Sequence, residues 1–519
     1  MTPAERLVRT SRAPLSDAVR IAAATHGDRE AICTSSGTTT WAGIDREADE
    51  LLVALRSLGV GDGSTIALVM HSAPPWLVAA TALNRAGATI AGISPVLPPA
   101  QRAAMVETVD ADLVLADRDL LEGLPLRSRV AVLGPSGMDL GDTAARARAR
   151  SAAGDREEPH YAICFTSGTT GTPRAALFDA AAARAVARID LGDEPPLGAG
   201  GHMISSTQFA HVGFVLKVPG HAMLGMTIHV MDRWSASGAI ELVQAHSIRT
   251  LGVVAPQLAA MLRSPALEGA DLSSLHTVVA GGAPSPEALV AEARERLGVT
   301  YSIRWSSTES GGVGLAADVD DDHPDLVGTI GRPRPGVQAR VATLSGEEAS
   351  RGEVGELQIR SGATMLGYLG DPEATAEAFT SDGWLRTGDL ARRREDGCFV
   401  LSGRRSEMYI RGGYNVHPQE VEAVLGTHPA VQQVAVVPRT DPVMGQVGVA
   451  VVVARDPIAA PTLEDLRAHA SELLARHQLP EDLVVRASLP LAAGGKLDRR
   501  ALAAELDPSA SGAARGAGR

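Results

Sequence analysis

The sequence predicts an α/β fold, with a large N-terminal domain of parallel sheet flanked by helices and a small α+β unit after it. Three observations carry this. Short apolar runs alternate with helical patterns over residues 15–130, the βαβ rhythm of a parallel sheet. From about 327 to 401 the pattern changes to short alternating strands separated by turn signals. After Leu401 the chain restarts with two strongly apolar strands and a helix. A length of 519 residues suits one large domain plus a smaller one.

In order along the chain, residues 65–70 (TIALVM) read as a buried strand, 75–86 as a helix and 88–93 as the next strand. Residues 137–158 are polar and rich in Ala and Arg, and read as a surface helix and linker. A strand begins at 161 and runs into a Gly/Ser/Thr loop, and 227–231, 250–254 and 276–280 are further strands of βα units that end near 310. Glu395-Asp396-Gly397, ahead of the apolar 398–401, marks a hairpin turn. In the small unit 431–437 and 447–453 are strands and 462–477 a helix. The organisation is therefore a domain at 1–401, a junction at 402–406, a second domain at 407–506 and a disordered tail at 507–519.

Composition excludes several classes. A hydrophobic fraction of 45% and a charged fraction of 21% exclude a mainly disordered chain. A net charge of −13 argues against a nucleic-acid binder that works by general phosphate attraction. Cys33, Cys164 and Cys398 form no CxxC pair, which argues against a disulfide scaffold or thiolate zinc site. The N-terminus lacks a signal pattern and no apolar run reaches membrane-spanning length, so a soluble cytoplasmic protein without membrane association is expected. Of 48 basic residues only Lys217 and Lys496 are lysine. In a chain so drifted to arginine, a surviving lysine carries information, because the two differ as point charge against planar fork. Lys217 sits in no motif and reads as surface.

The strongest chemical signal is the loop Thr166-Ser167-Gly168-Thr169-Thr170-Gly171-Thr172-Pro173-Arg174, directly after an apolar strand. Two glycines and five hydroxyl residues let backbone N–H and side-chain O–H groups turn inward together, a nest for phosphate oxygens. Arg174 adds a cation that forms charge-assisted hydrogen bonds. A surface linker is the plain reading of such a composition, and the buried-looking strand before it favours the phosphate loop.

Here the sequence resembles the adenylate-forming ligases, which include acyl- and aryl-CoA synthetases, luciferases and peptide-synthetase adenylation domains. Their phosphate loop reads TSGTTGxPK, matched at every position but the last, where Arg174 replaces lysine. Further matches follow in the family's order. Gly281-Gly282-Ala283-Pro284 stands where the family lines its adenine and acyl pocket. Trp305-Ser306-Ser307-Thr308-Glu309 replaces YGxTE, which implies Thr308 on the phosphate side, Glu309 as the Mg²⁺ ligand, Trp305 against adenine and Ser306 in the acid-pocket wall. Residues 355–360 (GELQIR), 367–379 (GYLGDPEATAEAF) and 383–389 (GWLRTGD) also match, and the last makes Asp389 the ribose-binding carboxylate. Arg404 matches the nucleotide-contacting arginine, and Ser406 falls at the hinge position, where the family commonly has aspartate or lysine. Gly412, Gly413 and Tyr414 match the strand that serves the second half-reaction beside the CoA tunnel, and LPLAAGGKLDRRAL at 489–502 makes Lys496 the catalytic lysine. Phe209-Ala210-His211-Val212-Gly213 resembles the aromatic and histidine gate of the acid pocket, which gives His211 a role near the carboxylate or the thiol path.

The resemblance spans about residues 20–505 and implies the two-domain fold, with a distorted β-barrel region in the large domain and a mobile C-terminal lid. It implies an ATP- and Mg²⁺-dependent enzyme that converts a small carboxylic acid to an acyl-adenylate, releases pyrophosphate and passes the acyl group to CoA. A carrier protein in trans or a non-thiol nucleophile stays open as acceptor. A catalytically inactive nucleotide-binding relative is the reading of another class, for which Arg174 and Ser406 speak and Glu309, Asp389, Arg404 and Lys496 together speak against. Ala210 stands where α-amino-acid activators carry aspartate, which argues against such a substrate. The small residues Ala210, Gly213 and Ala283 suggest room for an aryl, cyclic or medium aliphatic acid, and Ser306 suggests a polar substituent. The resemblance also implies a monomer or homodimer, states in which members are often found.

Overall fold

The computed structural model describes residues 3–122, 130–134, 137–139, 158–166, 173–205, 207–320, 322–343, 345–490 and 497–507. By internal contacts the chain divides into two compact units, Met1–Ala339 with Gln358–Thr387, and Arg340–Leu357 with Gly388–Arg519.

The first unit is organised by an eight-stranded sheet in the order Gly367–Tyr368, Ala175–Asp179, His160–Phe165, Thr89–Ile93, Thr65–Val69, Leu113–Ala116, Val130–Gly134 and Gly137–Asp139. The five strands from His160–Phe165 to Val130–Gly134 pair in parallel. Antiparallel strands extend both edges. Every residue of Thr65–Val69, Thr89–Ile93 and Leu113–Ala116 is buried, as continuous apolar strands covered on both faces must be. Asp112 fixes the register of the middle: its Oδ2 accepts from the Thr65 N–H at 2.8 Å, while its own N–H donates to Thr65 O at 2.8 Å. The helix Pro74–Ala86 opens on proline and ends at Gly87, whose φ of 78° is the left-handed cap.

A second sheet runs Thr250–Val253, Thr277–Gly281 and Thr300–Trp305 in parallel, then Leu315–Val319 and Arg332–Pro333 antiparallel. A third places His202–Ile204, Thr227–His229 and Glu30–Thr34 in parallel, with Gly37–Thr40 at its edge. The expected distorted barrel region takes the form of open sheets, none of which closes among the described residues.

In the second unit the part of Leu385–Arg393 from Asp389 on pairs with Phe399–Arg404 as the predicted hairpin, and Asp396 Oδ1 accepts from the Cys398 N–H at 3.0 Å in its turn. Val431–Asp441 pairs with Gly445–Ala454, which is almost wholly buried, and Asp482–Arg486 joins in parallel. Helices Pro418–Leu425 and Leu463–Ala470 supply Val421, Leu425, Leu466 and Ala470 to the core against this sheet. Burial of each large apolar side chain contributes about 1.5–3 kcal/mol.

Three readings need correction. Residues 137–139 are an edge strand rather than part of a helix, paired through Gly134 opposite Gly137; three residues are too few for a strand period to show. Most of the remainder of 137–158 lies outside the described residues. The helix expected over 462–477 starts at a Thr462/Asp465 capping box but ends at Ala470, where the Ser471 hydroxyl turns back to Ala468 O at 2.8 Å. Lys217 is not a plain surface residue: its Nζ lies 3.1 Å from Asp190 Oδ2, and Arg334 shares that carboxylate. None of the three cysteines is in a disulfide, and no described helix is long and apolar enough to cross a membrane.

Candidate active site

The Gly/Ser/Thr loop leaves the central sheet between His160–Phe165 and Ala175–Asp179. These strands pair antiparallel with Phe165 opposite Ala175, and the Thr166 N–H donates to Arg174 O at 2.9 Å. The two ends of the loop are thus clamped side by side at one end of the sheet. Ser167, Gly168, Thr169, Thr170 and Gly171 lie outside the described residues.

Beside Arg174 the edge strand Gly367–Tyr368 places Tyr368 opposite Ala176. The Arg174 guanidinium lies 5.3 Å from the Tyr368 ring centroid, a cation–π contact. The Tyr368 hydroxyl donates to Glu309 Oε1 at 2.9 Å. Burial first, then the Glu309 charge and hydrogen bond, push the phenol well above its ordinary pKa against the pull of Arg174, so it stays a donor at neutral pH. Glu309 is therefore held at two points by the 365–368 segment, its carboxylate by the Tyr368 hydroxyl and its backbone O by the Met365 N–H at 2.9 Å. One oriented carboxylate is a hard oxygen donor of the type that suits Mg²⁺. Tyr368 is the site residue the sequence reading missed, although it stands in the matched 367–379 segment. Tyr368→Phe removes the hydrogen bond to Glu309 while keeping the ring under Arg174. The expected result is a loss of about 10-fold in kcat, on the scale of one charge-assisted hydrogen bond of roughly 1.5–3 kcal/mol. It is read as kcat at saturating ATP over a Mg²⁺ titration, with half-saturation moved to higher Mg²⁺.

The Glu309 segment is braced from within. The Ser307 N–H donates to Ser310 Oγ at 2.9 Å and the Ser310 N–H to Ser307 Oγ at 3.1 Å. The Gly311 N–H caps Thr308 O at 3.0 Å. Trp305 ends its strand buried, its ring so close to Gly314 that a Cβ there would meet ring carbon Cε3 at 2.8 Å. Ser306 is exposed and Thr308 half-buried. Gly281 pairs with Arg304 at the end of the adjacent strand, Gly282 turns the chain at φ 75°, and Ala283 follows half-buried.

The 209–213 segment meets these elements. A Cβ on Gly312 would touch Val212 Cγ1 at 3.6 Å and Gly213 N at 3.7 Å. Phe209 is fully buried, stacked on Phe214 at 3.7 Å and edge-on to Trp76 at 5.6 Å, so it anchors the segment by packing. His211 is exposed at the start of the short helix Val212–Val215. Ala210 packs on Gly92 of the central sheet, where an added Cβ would lie 2.8 Å from Ala210 Cα. Gly92→Ala thus forces the segment off the sheet. Overpacking of this kind costs about 1–3 kcal/mol, expected as a lower unfolding midpoint together with a raised KM for the acid substrate.

In the second unit Asp389 and Arg404 face each other across the hairpin, with Arg404 Nε 2.9 Å from Asp389 Oδ1. The buried carboxylate and half-exposed guanidinium form an ion pair at the position the resemblance gives to ribose and nucleotide. Ser406 is exposed in the turn that follows, where the Glu407 and Met408 N–H groups both reach Arg404 O. Gly412 and Gly413, at φ 57° and 88°, form the two-residue turn between Tyr409–Arg411 and Tyr414–Val416. Tyr414 is exposed and stacks on His477 at 4.6 Å. Lys496 lies outside the described residues. The helix Arg499–Leu506 just after it is tied down by Arg499, which meets both Glu407 and Glu422.

Two family models match the chain, that of the AMP-binding enzymes over residues 19–369 and that of their C-terminal domain over 420–496. The chain belongs to the AMP-binding enzyme family. Among its relatives in this family, an indoleacetate–CoA ligase of Aromatoleum aromaticum is 35% identical over 343 residues, 64% of this chain and 65% of that protein. A sulfoacetate–CoA ligase of Cupriavidus necator is 30% identical over 90% of this chain and 92% of its own length. Among solved structures, the amide bond synthetase McbA of Marinactinospora thermotolerans superposes with a TM-score of 0.82 at 28% identity, covering 94% of this chain and 99% of the other. Family members of these kinds are AMP-forming acyl-CoA ligases and related adenylating enzymes, and the α/β architecture here is theirs.

Proposed function

We propose that this protein adenylates a small carboxylic acid with ATP and then transfers the acyl group to CoA. The observation that carries the reading is the convergence of Arg174, Tyr368 and Glu309 at the clamped end of the Gly/Ser/Thr loop. The loop and Arg174 bind the triphosphate through N–H, O–H and guanidinium donors. Glu309, oriented by Tyr368, is the residue that would hold Mg²⁺, which supplies charge neutralisation on the phosphates. Asp389 accepts the ribose hydroxyls and Arg404 steadies the nucleotide. The acid carboxylate attacks the α-phosphorus and pyrophosphate leaves, with the Lys496 ammonium bonding oxygens whose charge grows in the transition state. Rotation about 402–406 then brings Gly412, Gly413 and Tyr414 to the second half-reaction, in which a thiol displaces AMP.

CoA is the acceptor favoured by the RGGYN segment at 411–415 and by the two ligase relatives. The likeness to an amide bond synthetase supports an amine as the second reading. The deciding experiment incubates enzyme, Mg·ATP and a panel of aryl, cyclic and aliphatic acids with CoA or with amines, and quantifies products by mass. The expected result is acyl-CoA and AMP in equal amounts, with CoA accelerating turnover. Acyl-adenylate that accumulates unchanged with CoA but yields amide with amines would overturn the thiol reading.

A further inference from the structure

Away from the Arg174–Tyr368–Glu309 cluster, three imidazoles converge in the first unit. His202 opens the strand His202–Ile204, His229 closes the neighbouring Thr227–His229, and His246 is the last residue of the helix Ala236–His246. The strands pair in parallel with Ile204 opposite His229, which puts His202 and His229 diagonally adjacent on one face of the sheet. His202 Nδ1 lies 3.0 Å from His229 Nε2. The His246 ring lies over both, its centroid 5.1 Å from that of His202 and 4.1 Å from that of His229. One ring nitrogen from each histidine falls within 4.8 Å of the other two.

The surroundings suit a cation. His229 is 3% exposed, while His202 and His246 are half-buried and give access from one side. Glu30, on the strand that flanks Thr227–His229, is close enough for its charge to act on His202 and His229. Its Oε2 accepts from Cys33 Sγ at 3.3 Å, the kind of outer contact that orients a carboxylate ligand. Arg29 is the opposing charge that reaches His202. Stacked neutral rings sharing one hydrogen bond would explain the His202–His229 pair, but not a third imidazole delivered from a helix end with a carboxylate beside it.

Zinc bound at about 2.0–2.1 Å in a tetrahedron sets its nitrogens about 3.4 Å apart. The 3.0 Å pair is already near that spacing, and a His246 ring nitrogen lies within 4.8 Å of both. We propose that His202, His229 and His246 form a divalent transition-metal site, with the Glu30 carboxylate or water as fourth ligand. Three imidazoles and an oxygen favour zinc, and cobalt(II) as its spectroscopic substitute, over magnesium or calcium. The ion would tie the helix Ala236–His246 to the sheet from which the 209–213 segment departs.

The test uses the full chain without a histidine tag, stripped with chelator and titrated with CoCl₂. The expected result is a visible tetrahedral Co²⁺ band that saturates at one equivalent, is displaced by Zn²⁺, and accompanies a rise in unfolding midpoint on adding Zn²⁺. His202→Asn and His246→Gln, both at half-buried rings, should each abolish the band and weaken Zn²⁺ binding on the order of 100-fold, one share of a four-ligand site. Their far-UV circular dichroism should match the parent. Glu309→Gln should bind cobalt as the parent does. Failure of the parent to show the band, its survival in both histidine variants, or its loss in Glu309→Gln would overturn the proposal.

Discussion

Replacing Lys496 by alanine is expected to slow acyl-adenylate formation by about 10²–10³-fold, the scale on which one transition-state donor contributes. Transfer from supplied acyl-adenylate to CoA should change little, because the lysine is assigned to the first half-reaction alone. Lys496→Arg should not rescue the first step. The chain uses arginine at 46 of its 48 basic positions, so a lysine kept here marks a need for a compact ammonium with three freely rotating donors. Single-turnover measurement of each half-reaction checks this. Equal losses in both, or full activity of Lys496→Arg, would contradict the role.

The second large effect is on stability. Arg499 meets Glu407 at 3.2 Å and forks onto both oxygens of Glu422, which also accepts the Val436 N–H at 2.6 Å. Against the cost of burial, the Glu422 hydrogen bonds and the two carboxylate charges hold Arg499 protonated. Removing it leaves Glu422, only 14% exposed, as an uncompensated buried charge. Arg499→Ala should therefore destabilise the second unit by about 3–5 kcal/mol, with the helix Arg499–Leu506 released. That helix buries Leu502 against Val437 and Val449, and Lys496 lies three residues upstream of Arg499. Adenylation should fall with stability, and Glu422→Gln combined with Arg499→Ala should recover part of the loss. Denaturant unfolding of the single and double variants measures the coupling, and an unchanged midpoint for Arg499→Ala would refute it.

Much of this protein was legible in its sequence because several signals agreed. The runs at 65–70 and 88–93 read as buried strands, and Thr65–Val69 and Thr89–Ile93 form neighbouring parallel members of the central sheet. Proline and glycine marked both ends of Pro74–Ala86. What escaped was set by tertiary context. The edge strand Gly137–Asp139 is too short to show a period. The helix Leu463–Ala470 stops where a serine side chain competes for backbone. Lys217 is drawn in by Asp190, which is remote in sequence and shared with Arg334. At the site, the motifs named Glu309 and Arg174 but not the phenol between them, because Tyr368 arrives 59 residues later on an edge strand. The three histidines carry no spacing signal at all; strand pairing and a helix end bring 202, 229 and 246 together. The anchoring of Phe209 through Trp76 and Phe214 was likewise set by residues remote from the motif or beyond it.

Adenylation is tested most directly by acid-dependent exchange of labelled pyrophosphate into ATP, run with Mg²⁺ over aryl, cyclic and aliphatic acids in the absence of CoA. The expected result is exchange that requires one class of acid, is lost in Glu309→Gln and Lys496→Ala, and needs no acceptor. Absence of exchange with every acid, while ATP still binds, would contradict it and leave a nucleotide-binding member of the family without adenylation chemistry.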